Sequence, residues 1–230
     1  MRNPVLERVR ERVTHKPVSL GPVPPLPFDA PRGSAEAVER LWAAWAELGI
    51  QAVRCLNELE AFQELVARLR ERKVQNVLVD SRTARAYPGL IEALEGAQLR
   101  VIGSVLPQEE SARYAELRRW ATAEAGVTDV VAAFADSGTL WVVGGAGGMR
   151  CASLLPTLHV ALVRRTQVYP CMANWLAEAR ASGELQKWVE ESSSIIAITG
   201  PSRTTDIEKT LVLGVHGPRE VIAILIEEAQ

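Results

Sequence analysis

The chain has 230 residues, a length that fits one large domain or two small ones. Apolar residues make up 47% of it and charged residues 23%, which excludes wholesale disorder and fibrous repeats. With 26 basic and 28 acidic side chains the net charge is −2, so charge provides no general attraction to nucleic acid or to a membrane surface. The N-terminus is crowded with charges, and no uncharged run approaches the roughly 20 apolar residues of a membrane span. We therefore expect neither a secretory signal nor a membrane helix, and we expect a cytoplasmic protein.

The first 32 residues predict an N-terminal helix followed by a stiff arm. Val5, Val9 and Val13 recur at helical spacing between charged residues, as in an amphipathic helix. Six prolines between positions 17 and 31 then favour an extended, polyproline-like segment. We expect this arm to lie across the core, or to reach a neighbouring copy of the chain and form a homo-oligomer. Residues 33–230 are predicted to form the main domain.

From Gly33 onward, helices alternate with short apolar strands. Ser34 and Asn57 are typical helix N-caps, and Gly49 is a typical C-terminal stop. Alternation at these lengths predicts an α/β fold, in which a mostly parallel sheet carries helices on both faces. The predicted elements of this half are helices over 34–48, 57–73, 90–94 and 109–124, and strands over 51–56, 77–79 and 99–102.

The second half predicts a different local arrangement. The apolar runs 127–135, 139–143 and 159–163 are joined by short Gly- or Pro-bearing segments, which suggests antiparallel pairing between neighbours. Val221–Ile226 shows no polar alternation, so we expect it to be buried on both faces. The remaining predicted elements are a helix over 171–191, broken near Ser182-Gly183, and strands over 195–199 and 211–215. In the earlier helix over 109–124, the predicted inner residues are Ala112, Ala115, Leu117 and Trp120.

The cysteines and histidines predict no metal centre and no cofactor in this chain. Iron–sulfur clusters and structural zinc usually need closely spaced cysteine pairs, and the zinc helix needs two histidines four residues apart. Neither spacing occurs, so we expect three reduced, mostly buried thiols. The residues concerned are Cys55, Cys151, Cys171, His15, His159 and His216.

The stretch from Gly200 to Glu208 follows a predicted strand and is rich in groups that bind anions. Loops at the carboxyl ends of strands are where open α/β sheets tend to bind ligands. Hydroxyls, backbone N–H groups and Arg203 predict a cradle for a carboxylate or phosphate, with Glu208 as a catalytic acid or base. The alternative is that the polar side chains only cap a helical turn. The predicted binding residues here are Gly200, Pro201, Ser202, Arg203, Thr204, Thr205 and Asp206.

Two further segments are candidates for the same site. Asp136 is a candidate acid or base in a loop of small residues that would let a substrate approach the backbone, although Asp-Ser-Gly is also a common tight turn. His216, in a Gly/Pro turn, is a third catalytic candidate because it can titrate near neutral pH, although such a histidine is more often structural. For Gly144–Gly148, a hairpin turn is favoured over a pyrophosphate cradle. The predicted substrate-binding residues of the Asp136 loop are Ser137, Gly138 and Thr139.

These residues carry a family resemblance. The strings Gly200-Pro-Ser-Arg-Thr-Thr-Asp-Ile-Glu208 and Gly214-Val-His-Gly-Pro218 resemble the signature of the LUD domain, the lactate-utilization family. Ala135-Asp-Ser-Gly-Thr139 matches another typical stretch, as does the segment with Arg150, Ser153-Leu-Leu-Pro156 and His159. The resemblance covers roughly residues 34–228. It implies a layered α/β fold similar to the NagB/RpiA/CoA-transferase-like superfamily of sugar-phosphate isomerases and CoA-transferases.

The resemblance also implies a role in oxidising L-lactate to pyruvate beside two iron–sulfur partner proteins. One partner is similar to a cysteine-rich glycolate-oxidase subunit, and the other joins a LUD domain to ferredoxin motifs. Because three scattered cysteines cannot supply such clusters, the first hypothesis is an accessory, non-redox subunit that binds partners and a small carboxylate or phosphate. The second is a stand-alone isomerase or acyl/CoA-transferase-like enzyme that uses Asp136 or Glu208 in catalysis and Arg203 as an anion clamp.

Overall fold

The structure is a computed structural model that describes residues 30–103, 105–145, 148–205 and 211–228. The predicted N-terminal helix and most of the Pro-rich arm lie outside these ranges, so the boundary at residue 32 stays a prediction. The helices are α1 (Ala35–Leu48), α2 (Glu58–Glu71), α3 (Ser81–Ala86), α4 (Leu90–Gly96), α5 (Glu110–Trp120), α6 (Arg150–Leu154), α7 (Met172–Ala181) and α8 (Glu184–Glu191). The strands are β1 (Gln51–Cys55), β2 (Asn76–Val79), β3 (Arg100–Ile102), β4 (Ala125–Asp129), β5 (Ala132–Phe134), β6 (Thr139–Gly145), β7 (Leu158–Arg164), β8 (Val168–Tyr169), β9 (Ser192–Ile198), β10 (Arg203–Thr205), β11 (Leu211–Leu213) and β12 (Glu220–Ile226).

The main sheet is parallel throughout. Within the described ranges it has six strands in the order β1-β12-β7-β4-β2-β3. Strand β12, which lies between β1 and β7, is buried along Val221–Ile226, as the lack of polar alternation predicts. The predicted α/β class with a mostly parallel sheet is therefore confirmed.

Each face of the sheet packs against its own layer of apolar side chains. On one face Val127, Val160 and Ile222 pack with residues of α2 and α4. On the other face Ala161 and Ala223 pack with α1 and with the second sheet. This division follows from the two-residue period of strands, which sends successive side chains to opposite faces.

Helix α1 is built from local signals that the sequence displays. The Ser34 hydroxyl accepts a hydrogen bond from the N–H of Ala37 at 3.2 Å and so caps the first turn. Gly49 ends the helix in the left-handed conformation at φ +76°, where a side chain would be strained. Leu41 and Trp45 lie fully buried on its inner face.

The second sheet partly corrects the predicted antiparallel pairing. It has the order β8-β5-β6-β9, and β5 pairs antiparallel with β6 as expected. The predicted strand 127–135 is two strands, since β4 ends in the main sheet and β5 begins the second. The run His159–Val163 is also different from the prediction, because it belongs to β7 and pairs parallel with β4 and β12.

Three other local features differ from expectation. In α5 only Trp120 is buried, whereas Ala115 and Leu117 are exposed, so the predicted inner face is wrong for most of its length. The short helix α3 was not predicted. Downstream of Gly200, the chain forms an antiparallel hairpin of β10 and β11 rather than a continuous loop.

No helix in the described ranges is both long enough and apolar enough to cross a bilayer.

Candidate functional site

The main sheet has a topological switch point between β2 and β4. The chain leaves β2 toward β3 on one side and leaves β4 toward β7 on the other, although β2 and β4 are neighbours. Connections that diverge in this way open a crevice at the carboxyl ends of the two strands, where α/β proteins tend to bind ligands. Asp80 follows β2 directly and Asp129 is the last residue of β4, so two carboxylates stand at this crevice.

Asp80 holds the backbone around the crevice in place. Its carboxylate accepts a hydrogen bond from the N–H of Thr83 at 2.7 Å, which caps α3, and another from the N–H of Met149 at 2.9 Å, just before α6. The side chain is almost completely buried, and both oxygens have partners. We therefore assign Asp80 a structural role.

Asp129 is the second buried carboxylate at this edge of the sheet. Arg82 Nη2 and Gln167 Nε2 each lie 3.2 Å from one of its oxygens. These contacts are longer than the 2.7–2.9 Å of a typical charge-assisted hydrogen bond. Burial raises the pKa of the Asp129 carboxyl above its usual value, against the opposing effect of the Arg82 guanidinium. A buried carboxyl with a raised pKa at the carboxyl edge of a parallel sheet is a candidate functional group.

A second polar pair lies behind Asp129. The Tyr87 hydroxyl is buried, and burial together with the Asp129 charge raises the pKa of Tyr87 well above its ordinary value. The Arg164 guanidinium lies over the Tyr87 ring at 4.0 Å from its centroid and donates a hydrogen bond to Glu58 at 2.9 Å. The carboxyl edge of the sheet thus combines an aspartate, a tyrosine and two arginines.

Two cavities border this edge and share a wall. One, of about 320 Å³, is lined by Arg82, Arg85 and Trp188 together with polar residues of α8. The other, of about 300 Å³, is lined by Arg82, Gln167, Tyr169, Trp175 and Trp188 among others. The Arg82 guanidinium stacks over the Trp188 ring at 4.6 Å and stands between the two. Their volumes lie at the small end of the range for ligand sites, which favours a small ligand.

The sequence-predicted Asp136 turn lies elsewhere, against the end of α1. Asp136 and Ser137 are exposed, whereas Gly138 is buried beneath the helix. Gly138 adopts φ +66°, and a Cβ there would lie 2.6 Å from Leu48 Cδ1. Its carbonyl accepts a hydrogen bond from Trp45 Nε1 at 3.0 Å. The glycine is required by close packing against α1.

The Gly200 loop reaches the same helix end. Thr139 of the turn and Thr199 before the loop are joined by a hydroxyl hydrogen bond of 2.9 Å. A Cβ on Gly200 would lie 3.1 Å from the Leu48 carbonyl oxygen, and the Arg203 Nη2 donates a hydrogen bond to that oxygen at 2.9 Å. The structure therefore brings the two predicted segments together, but it directs the Arg203 guanidinium to the carboxyl end of a helix.

The other predicted site residues complete this region. The Ser202 backbone N–H donates to the Pro218 carbonyl at 2.8 Å, and its carbonyl accepts from Gly214 N–H at 3.0 Å. Pro201 is half-buried and His216 is exposed in the turn that follows β11. Thr204 and Thr205 lie in β10, whereas Asp206 and Glu208 lie outside the described residues. The predicted anion cradle of these residues stays a prediction.

Sequence reasoning missed the switch-point residues, although a local signal was present. Asp80-Ser-Arg-Thr83 combines a helix N-cap with an arginine directly after a short buried strand. Asp129 was harder to identify as a site residue, because it lies inside the apolar run 127–135, which predicts a single strand. Arg82 and Asp129 are 47 positions apart, so only the order of strands in the sheet brings them together. Within the described ranges, no group of three or more His, Cys, Asp or Glu side chains is placed to hold a metal ion.

The fold and the site together define the class of this protein. It is an α/β protein with a ligand-sized crevice at the carboxyl edge of a parallel sheet. A crystal structure of a DUF162 family protein from Deinococcus radiodurans has a similar fold, with a TM-score of 0.57 and 21% sequence identity. That similarity covers 86% of this chain and 99% of the other. The LUD domain family model matches residues 38–226. The chain belongs to the LUD domain family.

Curated relatives carry the name Lactate utilization protein C. The relative from Halalkalibacterium halodurans is 38% identical over 109 residues, which are 46% of this chain and 45% of that protein. The relative from Exiguobacterium sp. is 34% identical over 124 residues, 53% of this chain and 50% of that protein. The relative from Bacillus subtilis is 36% identical over 106 residues, 46% and 43% of the two chains. The chain spans about half the length of the curated relatives it matches.

Proposed function

We propose that this chain is a component of an L-lactate utilization system, without a redox centre of its own, which works in the cytoplasm beside iron–sulfur partner proteins. The single observation that carries the proposal is its relationship to proteins named Lactate utilization protein C, at 34–38% identity in the three cases described above. Membership of the LUD domain family supports it independently, because the family model matches most of the chain.

The position of the cysteines supports the assignment of electron transfer to partners. Cys55 ends β1, Cys151 lies in α6 and Cys171 precedes α7, and all three are free thiols. Iron–sulfur clusters are held by closely grouped thiolates, and these thiols lie on separate elements. In this proposal the chain binds a small carboxylate and contacts the partners that carry the electrons.

Gene deletion in the source organism tests the role in lactate utilization. We expect a strain without this chain to lose growth on L-lactate as sole carbon source and to grow normally on pyruvate, because only the step from L-lactate to pyruvate is affected. Expression of the full chain from a plasmid is expected to restore growth. Unimpaired growth of the deletion strain on L-lactate would contradict the proposal.

Co-purification tests the partner proteins separately. An affinity-tagged full chain from cells grown on L-lactate is expected to retain iron–sulfur proteins, identified by mass spectrometry and by their visible absorption. The matched control is the same tagged chain from cells grown on glucose and mixed with lysate from the untagged lactate-grown strain. Recovery of the chain alone in both preparations would overturn the partner assignment.

A further inference from the structure

We infer that this chain forms a two-fold symmetric homodimer, in which the outer side of helix α5 packs antiparallel against α5 of a second copy. The outer side carries Glu110, Tyr114 and Arg118, which we call the outer stripe. Residues four positions apart lie on one side of a helix, so the three side chains form a continuous row. The dimer holds whether or not the chain works in lactate utilization.

Helix α5 has much less contact with the body of the protein than the other long helices of the main domain. Helices α1 and α2, of 14 residues each, bury four side chains each, whereas the 11 residues of α5 bury one among the described residues, Trp120. The Trp120 Nε1 donates a hydrogen bond to the Gly103 carbonyl at 3.0 Å. Isolated helices shorter than about 12 to 15 residues are marginal in water, and most helices depend on packing. We therefore expect α5 to have a further packing partner.

The side of α5 that faces the body lies opposite the outer stripe. Trp120 Nε1 also donates to Glu116 Oε1 at 3.2 Å, and the Glu116 side chain is mostly buried. Ala112, one turn earlier on the same side, is half-buried. Each residue advances a helix by about 100°, so the outer stripe is rotated about half a turn from these three side chains. It faces away from the rest of the described chain.

Apolar side chains lie on the outer stripe and close to it in the sequence. Tyr114, at the middle of the stripe, is 55% exposed, and Leu117 is exposed one turn further along. In the segment that leads into α5, Val105 is 75% exposed and Leu106 is also exposed. Clustered apolar groups in contact with solvent are typical of an interaction surface, and tyrosine is a frequent anchor of such surfaces.

The charges of the outer stripe complement a second copy of the same stripe. Glu110 lies in the first turn of α5 and Arg118 in the last, with Tyr114 midway between them. Neither charged side chain has an ion-pair partner among the described residues. If a two-fold axis passes beside Tyr114, Glu110 of one copy lies opposite Arg118 of the other, at both ends of the contact. A parallel arrangement would place like charges together, so the stripe favours an antiparallel pair of identical helices.

The size of this surface sets the expected affinity. A helix of 11 residues is about 16 Å long, and one side of it covers less than the roughly 800 Å² per partner of a standard interface. The exposed side chains of Val105 and Leu106 add to the contact area. We therefore expect a reversible dimer with a Kd of about 1 to 100 μM.

Sedimentation velocity of the purified full chain, at protein concentrations from about 1 to 500 μM, tests the dimer. The mass is expected to rise with concentration from 25.1 kDa toward twice that value. Tyr114→Ala removes the centre of the contact and is expected to raise the Kd at least about tenfold. A chain that stays monomeric at the highest concentration would overturn the inference, and would leave the outer stripe to another protein or to the N-terminal segment of the same chain.

Charge reversals test the antiparallel orientation. Glu110→Arg makes the outer stripe basic at both ends, and Arg118→Glu makes it acidic at both ends. Each variant alone is expected to lose at least about tenfold in dimer affinity, because like charges then face each other. An equimolar mixture of the two variants is expected to form a heterodimer within about threefold of the original affinity, since opposite charges meet at both ends. Weakened helix-dipole interactions within each chain cannot produce this recovery, so a mixture without it would overturn the antiparallel contact.

Arg180→Glu is the matched control for the charge reversal. Like Arg118, Arg180 is an exposed basic residue in the last turn of its helix, but its helix is α7, which packs on the second sheet. We expect this variant to leave the dimer affinity unchanged. Equal losses in Arg118→Glu and Arg180→Glu would show that overall charge governs association, which would overturn the inference. Thermal unfolding shows whether each variant is folded, and Tyr114→Ala, which changes no charge, remains informative if a reversal is not.

The predicted N-terminal helix is the alternative contact between two copies, and the full chain can test it as well. Val9→Glu places a charge in the predicted apolar stripe of that helix. We expect this variant to dimerise like the unchanged chain. If Val9→Glu abolishes the dimer and Tyr114→Ala does not, the N-terminal segment forms the contact and the inference is wrong.

Discussion

Two regions of the molecule invite comparison: the crevice between β2 and β4, and the junction at the end of α1 where the Asp136 turn meets the Gly200 loop. Each contains an arginine and nearby carboxylates or hydroxyls. They differ in the partner of the arginine. Arg82 pairs with a carboxylate at 3.2 Å and borders two cavities, whereas Arg203 donates a 2.9 Å hydrogen bond to the last carbonyl of a helix. Helix ends leave backbone groups without partners, and nearby polar side chains satisfy them. A polar loop can therefore resemble a ligand site in sequence and act as a helix cap in the fold.

The largest expected effect is on the strand that carries Asp129. A Cβ on Gly126 of β4 would lie 1.7 Å from the Ala152 carbonyl oxygen of α6, so Gly126→Ala has to push backbone apart. We expect a loss of more than about 3 kcal/mol in the free energy of unfolding, measured in urea.

The matched control for Gly126 is another glycine-to-alanine change. Gly96→Ala at the end of α4 has nothing within 4 Å of the new Cβ and is expected to leave stability unchanged or to raise it by less than about 1 kcal/mol. Similar stability of the two variants would show that α6 does not pack on β4 as described.

A pH effect of intermediate size is expected from His159, which lies beside the crevice strand. It is fully buried in β7, and its Nε2 lies 2.8 Å from the Thr128 hydroxyl of β4. Burial lowers the pKa of His159 to about 4. Between the unfolded value near 6.5 and about 4, the unfolded chain binds the proton and the folded chain does not. The contribution to stability is thus complete above pH 6.5 and falls by about 3 kcal/mol as the pH approaches 4.

The measurement is the free energy of unfolding in urea at pH 7.5, 6, 5 and 4. His159→Gln is expected to flatten the decrease, while the exposed His216→Gln leaves it unchanged, which distinguishes the two regions by their histidines. The same decrease in all three proteins would assign the pH dependence to other groups.

The smallest expected effect is at the arginine of the second region. Arg203→Ala removes one hydrogen bond to the Leu48 carbonyl at an exposed position, so we expect a loss of less than about 1 kcal/mol and no change in the affinity for small anions. Thermal unfolding and calorimetry measure the two quantities on one preparation. The hypothesis formed from sequence expects the opposite, a folded chain that no longer binds small anions, so either result decides between the two regions.

The features of the fold that could be predicted from the sequence are the local ones, such as helix caps and buried strands. Ser34 and Gly49 mark the ends of α1 through caps that involve only neighbours, and Val221–Ile226 shows by composition alone that it is a buried strand. The pairing of His159–Val163 was predicted wrongly, because a strand's partners depend on chain far away in sequence. The predicted inner face of α5 was wrong for a related reason. A helix at the edge of a sheet buries little of its apolar stripe, and in α5 only Trp120 is buried.

The candidate site shows the same difference between local motifs, which could be predicted from the sequence, and long-range contacts, which could not. The Asp136 turn and the Gly200 loop were visible as motifs, and their meeting at Leu48 was not, since it depends on where α1 packs. The Arg82–Asp129 pair could be predicted only by knowing that β4, which follows β3 in the sequence, pairs with β2 in the sheet. Strand order is a non-local property, and motifs of a few residues do not report it.

The stacking of Arg82 on Trp188 has a consequence for affinity. A free arginine side chain loses about 2 kcal/mol of rotamer entropy when it is fixed in one conformation. Here the indole and the Asp129 carboxylate restrict the guanidinium before any ligand arrives, so that loss occurs during folding and not on association. A molecule of only a few atoms has little interaction energy to offer, and a pre-organised receptor allows most of it to appear as affinity.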